Sequence, residues 1–382
     1  MQYPHLHLTE WPFRIVPDPS FYSFMADRAD LASQINGLLR NLSRRPSSSM
    51  HLMWAWFGAG KTHTLRHMEW LCKKHYPQVI PVYTEFPKSA TRFLDIYRAF
   101  IQGMDVDLIK DSYAEVFSSP NQEELQNKLH WAFPDLSSAL QLLFQGRPDE
   151  QNSVVRWLRT DLKERRLLKS VGILRPIGGA EDGTNVISWI IRIIALAASL
   201  QGDSKRVMWM LDEYQRIEAL RASYRDEING CLHSIFNACA NGLTIVISFS
   251  GYPEERRLPT WLSPEIRDRI GIEKPILLPA LSVEQSYSFV VDILDHFRDN
   301  TAGCPTKQHP FTRDAIEEVI ATIVRKAQIS KRKDQPKPRT IMHFFHTILE
   351  EAEPLLEAGQ MKTIDKEFVT RVLEPVGLPQ DE

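Results

Sequence analysis

A glycine-containing loop separates an apolar run from a helical pattern near residue 58 and limits the folds open to the chain. The run from Met50 to Phe57 is apolar apart from His51 and leads directly into Gly58-Ala59-Gly60. Beyond the loop, apolar side chains recur at helical spacing at Leu65, Met68, Leu71 and Cys72. A strand, a tight turn and a helix in this order predict an α/β unit whose loop lies at the edge of a sheet.

The loop continues as Lys61-Thr62, and this combination predicts that it holds phosphate groups. Glycines let backbone amides point at phosphate oxygens, and the helix that follows presents its N-terminus to them. We expect Lys61 to bridge the β- and γ-phosphates of a nucleotide and the Thr62 hydroxyl to hold Mg²⁺. The predicted nucleotide-binding residues are Gly58, Ala59, Gly60, Lys61, Thr62 and His63.

One position departs from the usual G-x-x-x-x-G-K-[ST] pattern, because Ala55 stands where the first glycine is normally found. Since Ala55 precedes the turn on the strand side, we expect its methyl group to leave the phosphates accessible. A glycine turn that arose by chance is the competing interpretation, and the strand–loop–helix context argues against it.

A second motif supports nucleotide binding. The apolar run Val207 to Leu211 ends in Asp212-Glu213. A strand that is apolar throughout is typical of the middle of a parallel sheet, and its carboxyl end lies at the edge where α/β proteins bind ligands. We expect Asp212 to support Mg²⁺ through water and Glu213 to polarise the water that attacks the γ-phosphate. ATP and Mg²⁺ are the ligands that these motifs imply.

The remaining patterns predict an α/β fold, in which a parallel sheet is sandwiched by helices and followed by a C-terminal helical lid. Further strand candidates are Gln78–Pro87, Leu243–Pro253 and Lys274–Ser282, whereas only helical patterns follow residue 283. The expected division is an N-terminal segment (1–45), a nucleotide-binding core (46–282) and a helical lid (283–382). A helical insertion at about 109–183 explains the long spacing between the two motifs; it either docks a partner or elaborates the structure.

Five segments together resemble the AAA+ ATPases, and within them the initiator-like branch. They are "FGAGKT", "MWMLDE", the strand end Ser248-Phe249-Ser250-Gly251, "LSPEIRDRIG" and "PRTIMHFF". The resemblance implies a P-loop NTPase fold and nucleotide-dependent assembly of several copies, as a ring or a filament.

The same resemblance implies roles for residues outside the two motifs. Ser250, or else Ser248, would sense the γ-phosphate at the end of its strand. Arg267 or Arg269 would be the arginine finger that completes the site of a neighbouring subunit, and Arg269 is the preferred residue. Arg339 would contact the γ-phosphate from the lid of the same subunit.

Two partial resemblances concern narrower groups. The opening "LTEWPFRIVPDPSFY" is similar to the start of secretion-type and transposition-regulator ATPases. The segments "GAGKTHTLRHM" and "SVVRWLRTDLKERRLLKSVGILRPI" look like ATP-binding proteins of BREX-type phage-defence loci. These similarities imply an effector partner such as a nuclease or a transposase.

Charge restricts where nucleic acid could bind. The 382 residues carry a formal net charge of −2, so any contact with DNA requires a local basic surface. Two segments qualify, Arg325–Arg339 and Arg159–Lys169, although a charge run is more often simply a solvated face.

No targeting or membrane segment is predicted. The N-terminus lacks a basic start followed by an apolar run, and the most apolar stretch, Val186 to Leu200, is short and carries Arg192. We therefore interpret it as a buried helix. The four cysteines form no C-x-x-C pair and are expected to be reduced thiols, so a cytoplasmic protein is predicted.

The leading hypothesis is an oligomeric ATPase that controls a partner acting on nucleic acid, in phage defence or DNA transposition. The alternative is a nucleotide-dependent switch or scaffold that recruits an effector with little turnover. A phosphotransferase acting on a small acceptor is a third and weaker interpretation.

Overall fold

The centre of the protein is a five-stranded sheet in which every pairing is parallel. The computed structural model describes residues 3–16, 18–45, 47–119, 122–251, 258–270, 275–299, 303, 306–329 and 336–374. The strands are β1 (Ser49–Ala55), β2 (Val79–Glu85), β3 (Arg206–Asp212), β4 (Leu243–Ser250) and β5 (Ile276–Leu278), in the spatial order β2-β3-β4-β1-β5. All five predicted strands are present, although residues 253 and 274, at the predicted ends of two of them, lie outside the described residues.

Fifteen α-helices are described, and they cover both faces of the sheet and extend beyond it. They are α1 (Ala29–Arg44), α2 (Lys61–His75), α3 (Phe93–Gly103), α4 (Val106–Phe117), α5 (Gln122–Ala132), α6 (Pro134–Gln145), α7 (Pro148–Leu158), α8 (Arg165–Ser170), α9 (Ala180–Leu200), α10 (Ala222–Ala238), α11 (Pro264–Ile270), α12 (Val283–His296), α13 (Arg313–Ile329), α14 (Pro338–Glu357) and α15 (Lys366–Leu373). The predicted α/β class, with a C-terminal group of helices, is confirmed.

The strands are apolar throughout because both faces of the sheet are covered. Met208 and Met210 of β3 pack towards α1 and α2, while Trp209 and Leu211 pack towards the opposite layer. Successive residues of a strand point to opposite faces, so a doubly covered strand needs apolar side chains at every position. This layering brings the carboxyl ends of the strands together at one edge of the sheet.

The inserted helices α4 to α8 share one hydrophobic core with the sheet. Buried side chains such as Leu136 and Trp157 belong to one continuous apolar cluster with Trp54 and Trp209 of the sheet. Two polar contacts hold the segment further: the Tyr97 hydroxyl donates to the carbonyl of Leu158 at 2.7 Å, and buried Asp135 accepts the amide of Leu174 at 2.7 Å. The domain boundaries themselves stay a prediction.

Helix α9 contains the apolar stretch that was predicted to be buried. Among the described helices it alone is long and apolar enough to cross a membrane. Its side chains Val186, Ile187, Ile190, Ile191 and Ile194 are buried in the same apolar cluster as the sheet, and α3, α4 and α10 pack against it. We therefore identify α9 as a core helix.

The N-terminal segment packs with the last helices of the chain. Leu6, Leu8 and Phe13 are buried in the cluster formed by α12 to α15, and Phe13 contacts both Phe311 and Phe345. The segment therefore belongs to the packing of the helical lid, which the sequence patterns did not predict.

Candidate functional site

The predicted phosphate loop connects β1 to α2 and has the backbone conformation that requires glycine. Gly58 and Gly60 have φ angles of 74° and 96°, a region that side-chain-bearing residues avoid. Ala55 is the last residue of β1, where it is buried, is registered with Ser250 of β4 and accepts the amide of Gly251 at 3.0 Å. Alanine is thus accommodated because the position belongs to the sheet and needs no special φ.

Lys61 begins α2 and extends to the end of the neighbouring strand. Its Nζ donates to Oγ of Ser250 at 2.5 Å, and both side chains are buried. Burial lowers the pKa of the Lys61 ammonium, while the carboxylates of Glu213 and Asp212 raise it and Arg339 lowers it further. A cation in this position is available to phosphate oxygens that enter the cavity beside it.

Asp212 is fully buried and accepts four hydrogen bonds. Its Oδ2 accepts from Oγ1 of Thr62 at 2.7 Å and from the hydroxyl of Tyr83 at 3.0 Å. Its Oδ1 accepts from Oγ of Ser248 at 3.0 Å and from the amide of Glu213 at 2.9 Å. Ser248, the second sensor candidate, is therefore engaged with Asp212, whereas Ser250 contacts Lys61.

The Thr62–Asp212 pair fits Mg²⁺ chemically. Mg²⁺ prefers oxygen ligands and usually combines one or two protein oxygens with water and substrate phosphates. In the part of the chain that the structure describes, no group of three or more His, Cys, Asp or Glu side chains could hold a metal ion. A site of one hydroxyl and one carboxylate matches an ion that is bound together with a nucleotide.

Glu213 is oriented by two residues that sequence patterns did not identify. It has a positive φ of 56°, and its Oε2 accepts from Nε2 of Gln215 at 2.8 Å. Nη2 of Arg216 lies 3.7 Å from the same Oε2, and Nη1 of Arg216 donates to Oε1 of Glu85 at 2.7 Å. Neither Gln215 nor Arg216 belongs to a periodic pattern. Their position just after Asp212-Glu213 is the only feature of the sequence that could have pointed to them.

The lid contacts the phosphate loop directly. The amide of Arg339, near the start of α14, donates to the carbonyl of Gly58 at 3.3 Å. A Cβ placed on Gly58 would lie 3.2 Å from Cβ of Arg339, so this close approach is a second reason for glycine in the loop. Arg339 is thereby held beside the predicted phosphate position.

These residues border one cavity of about 440 Å³, a volume within the range of small-ligand sites. The loop lines it together with Lys61, Thr62, Glu213, Ser250 and Arg339. Apolar side chains of the N-terminal segment and the lid also line it, among them Phe21, Phe24, Met25, Phe289, Ile293 and Met342, alongside the charged Arg14, Asp18 and Arg28. A lining with both polar and apolar groups suits a ligand that joins phosphates to a planar base.

His63 also lines this cavity, but its imidazole is engaged with the N-terminal segment. Its Nε2 lies 2.8 Å from the carbonyl of Phe24, and Nδ1 of His67 lies 2.8 Å from the carbonyl of Tyr22. Burial lowers the pKa of both imidazoles. The two histidines thus fasten the N-terminal segment to α2, and a direct contact of His63 with nucleotide stays a prediction.

The two arginine-finger candidates lie on α11 and line no part of the cavity. Nε of Arg267 donates to the carbonyl of Leu262 at 2.8 Å, so its guanidinium is held by a backbone group just before its own helix. Arg269 is exposed, its Nη2 lies 3.5 Å from Oδ1 of Asn237, and its guanidinium carbon lies 5.8 Å from the centre of the Phe236 ring. Arg269 is the freer of the two guanidinium groups, whereas Arg267 stabilises its own turn.

The two predicted basic segments differ in structure. In Arg325–Arg339, residues 330–335, which include Lys331, Arg332 and Lys333, lie outside the described residues. Arg325 pairs with Glu318 at 3.3 Å, Lys326 donates to the carbonyl of Leu373 and Lys337 is buried. Arg325 and Arg339 are exposed, and a basic surface on this segment stays a prediction.

The second segment, Arg159–Lys169, is exposed around α8. We call the cations Arg159, Lys163, Arg165, Arg166 and Lys169 the insertion patch. All five side chains are exposed, and none forms an ion pair with a described residue. Two exposed acids, Asp161 and Glu164, leave the patch with an excess of positive charge.

Comparisons with known proteins find structural similarity alone. No family model matches the chain, and no curated protein matches it. Among solved structures, the ORC1 protein of Aeropyrum pernix in complex with DNA aligns with 97% of this chain and 68% of its own, at a TM-score of 0.45 and 13% identity. CDC6p from Pyrobaculum aerophilum aligns with 95% of this chain and 72% of its own, at a TM-score of 0.49 and 15% identity. Domain III of the Thermotoga maritima replication initiation protein DnaA aligns with 94% of this chain and 98% of its own, at a TM-score of 0.44 and 10% identity. Because these TM-scores are below 0.5 and the identities are 15% or less, we infer function from the residues of the site.

Proposed function

We propose that this protein binds ATP with Mg²⁺ and hydrolyses it to ADP and phosphate, as an ATPase of the AAA+ type. The observation that carries the proposal is the convergence of residues from distant parts of the sequence on one cavity. Its lining includes Lys61, Thr62, Glu213, Ser250 and Arg339, and the buried Asp212 accepts the Thr62 hydroxyl. A phosphate loop, an acidic pair and a lid arginine around one space match the needs of phosphoryl transfer, in which positioning and charge stabilisation dominate.

Each residue has a role that follows from its chemistry. Lys61 and the loop amides bind the phosphates, and Thr62 with Asp212 would hold Mg²⁺, which neutralises phosphate charge when bound. The Glu213 carboxylate accepts a proton from the attacking water. Ser250 and Arg339 contact the terminal phosphate from the sheet and from the lid.

The purified protein is expected to hydrolyse ATP in the presence of Mg²⁺ and to lose this activity when EDTA removes divalent ions. The reason is that Mg²⁺ neutralises phosphate charge, and without it the Asp212 carboxylate would repel the phosphates. Phosphate release and ATP binding are measured in parallel. Tight, Mg²⁺-dependent ATP binding without turnover would favour the alternative function of a nucleotide switch or scaffold.

We further propose that several copies assemble and share their sites, with Arg269 reaching the γ-phosphate of a neighbouring subunit. Arg269 is exposed and does not line the cavity of its own subunit, whereas Arg267 bonds to the Leu262 carbonyl. These observations support Arg269 over Arg267. The finer biological role that we propose is control of an effector acting on nucleic acid, such as a nuclease or a transposase in phage defence or transposition.

The surface that we propose for nucleic acid is the insertion patch. Duplex DNA attracts clustered, unpaired cations, because each phosphate contact releases bound counterions. The insertion patch offers five such cations, whereas in Arg325–Arg339 Arg325 pairs with Glu318 and Lys326 donates to the Leu373 carbonyl.

Replacing Arg165 and Arg166 together by glutamate is expected to weaken binding of a labelled DNA duplex by about tenfold or more at low salt. The slope of log K against log salt concentration should become shallower by about 2, because two phosphate contacts are lost. Fluorescence anisotropy across a salt series measures both quantities. ATP hydrolysis without DNA should not change.

The matched control is Arg40→Glu with Arg44→Glu, because these two arginines are exposed on α1 and the change in net charge is the same. Equal weakening by the two pairs would show that only overall charge matters, and the insertion patch would then lose its assigned role.

A further inference from the structure

The side chain of Gln215 connects two elements of the nucleotide site without lining the cavity itself. Its Nε2 donates to Oε2 of Glu213 at 2.8 Å, and its Oε1 accepts the backbone amide of Ser250 at 3.0 Å. Glu213 follows β3 and Ser250 ends β4, and these two strands are neighbours in the sheet. One amide group therefore joins the ends of two adjacent strands.

The orientation of this amide is determined by its partners. The backbone N–H of Ser250 can only donate, so the Gln215 oxygen must face it and the NH₂ group must face Glu213. Because Oγ of Ser250 also accepts from Lys61 at 2.5 Å, an unbroken chain of contacts runs from Lys61 through Ser250 and Gln215 to Glu213.

Glu213 needs such a support because its backbone does not direct its carboxylate. The residue lies in the left-handed region just beyond the strand, and its other side-chain contact is Arg216 at 3.7 Å. Arg216 is itself held by Glu85 and by the carbonyl of Phe86. Without the Gln215 donor, the carboxylate could turn towards Arg216 and away from a water at the γ-phosphate.

We propose that Gln215 is a positioning residue that aligns the Glu213 carboxylate for attack by water and couples this alignment to Ser250 and Lys61 at the phosphates. This inference rests on the proposed ATPase function and assigns a further residue to the same site. Misplacement of a reacting group by about 1 Å costs roughly 10²-fold in rate, so the effect is measurable.

Two substitutions separate the two contacts of Gln215. Gln215→Glu keeps an oxygen that accepts from the Ser250 amide but removes the donor to Glu213 and opposes it with a second carboxylate. Gln215→Met preserves the length of the side chain and removes both contacts. Both variants are expected to lower kcat by about 10- to 100-fold and to leave ATP affinity within about twofold of the parent value.

A second readout separates positioning from a merely structural role. ADP with aluminium fluoride mimics the transition state, so both variants should bind it more weakly by about the factor lost in kcat, while ADP alone binds normally. Gln151→Glu and Gln151→Met are matched controls, because Gln151 bonds to the Gly146 carbonyl in the insertion, outside the cavity lining. Thermal unfolding and circular dichroism establish that all variants are folded.

The outcomes distinguish this inference from the proposed function. If Gln215→Glu hydrolyses ATP normally while Gln215→Met is slow, the contact with Ser250 alone matters and the positioning of Glu213 is refuted. Normal kcat in both variants, alongside an inactive Glu213→Gln, refutes the inference and leaves the ATPase proposal intact. If Glu213→Gln is as active as the parent protein, the assignment of Glu213 fails, and with it the role of Gln215.

Discussion

Glu213→Gln is expected to bind ATP as tightly as the parent protein and to hydrolyse it at least about 10²-fold more slowly. Glutamine has nearly the same shape, and its amide oxygen can still accept from Gln215, so the site should keep its geometry. An amide cannot take up the proton of the attacking water, and general base catalysis contributes about 10²- to 10⁴-fold. Single-turnover phosphate release and equilibrium ATP binding test the two halves of the expectation.

A matched control for this variant is Glu218→Gln, which removes a carboxylate from the same short helical turn. Glu218 is exposed and does not line the cavity, so hydrolysis should stay at the parent rate. Parent-like hydrolysis by Glu213→Gln would mean that another group activates the water.

Arg269→Ala is expected to keep ATP binding in each subunit while lowering hydrolysis by about 10³-fold or more, because a finger acts on transition-state charge in a neighbouring site. Lys61→Ala should instead lose tight ATP binding, since it removes the cation beside the phosphates. Each variant alone should be inactive for a different reason, and this difference makes a mixing experiment possible.

Mixing the two variants is expected to restore activity. An interface is productive when an Arg269→Ala subunit supplies an intact site and a Lys61→Ala subunit supplies an intact finger. In a random equimolar cyclic assembly about one quarter of the interfaces meet this condition. ATPase assays across mixing ratios, with light scattering to measure assembly, check the expectation.

Arg267→Ala is the control for the finger. Its guanidinium bonds to the Leu262 carbonyl, so this variant should lower the melting temperature and leave hydrolysis per folded subunit unchanged. Normal hydrolysis in both arginine variants, by a protein that remains monomeric with nucleotide bound, would contradict the shared-site mechanism.

Local patterns in the sequence were sufficient to predict the order of elements around the site. The apolar run before Gly58 became β1, the helical spacing after Lys61 became α2, and the run before Asp212 became a strand covered on both faces. These predictions succeeded because strand and helix periodicities, and the need for glycine at positive φ, act over a few residues. The tolerance of Ala55 follows from the same rule, since the strand ends at that residue.

Contacts between residues far apart in the chain could not be predicted from local sequence patterns. The sequence left Arg267 and Arg269 as alternatives for the finger, and only the structure shows that Arg267 bonds to the Leu262 carbonyl whereas Arg269 is exposed. Likewise, the charge count of Arg325–Arg339 could not show that Lys337 is buried and that Arg325 pairs with Glu318. Charge can be counted in a sequence, but its exposure depends on what packs against it.

The glycine-containing loop and the acidic pair can each be read from one short segment, and the α/β class follows from strand and helix patterns along the chain. The fold alone shows that the N-terminal segment and the lid line the same cavity, and that Gln215 joins Glu213 to Ser250. The physical reason is that the strand order places β3 beside β4 and β4 beside β1 at one edge of the sheet. Hydrogen bonds that cross between these strand ends depend on that arrangement, and no periodicity along the chain encodes it.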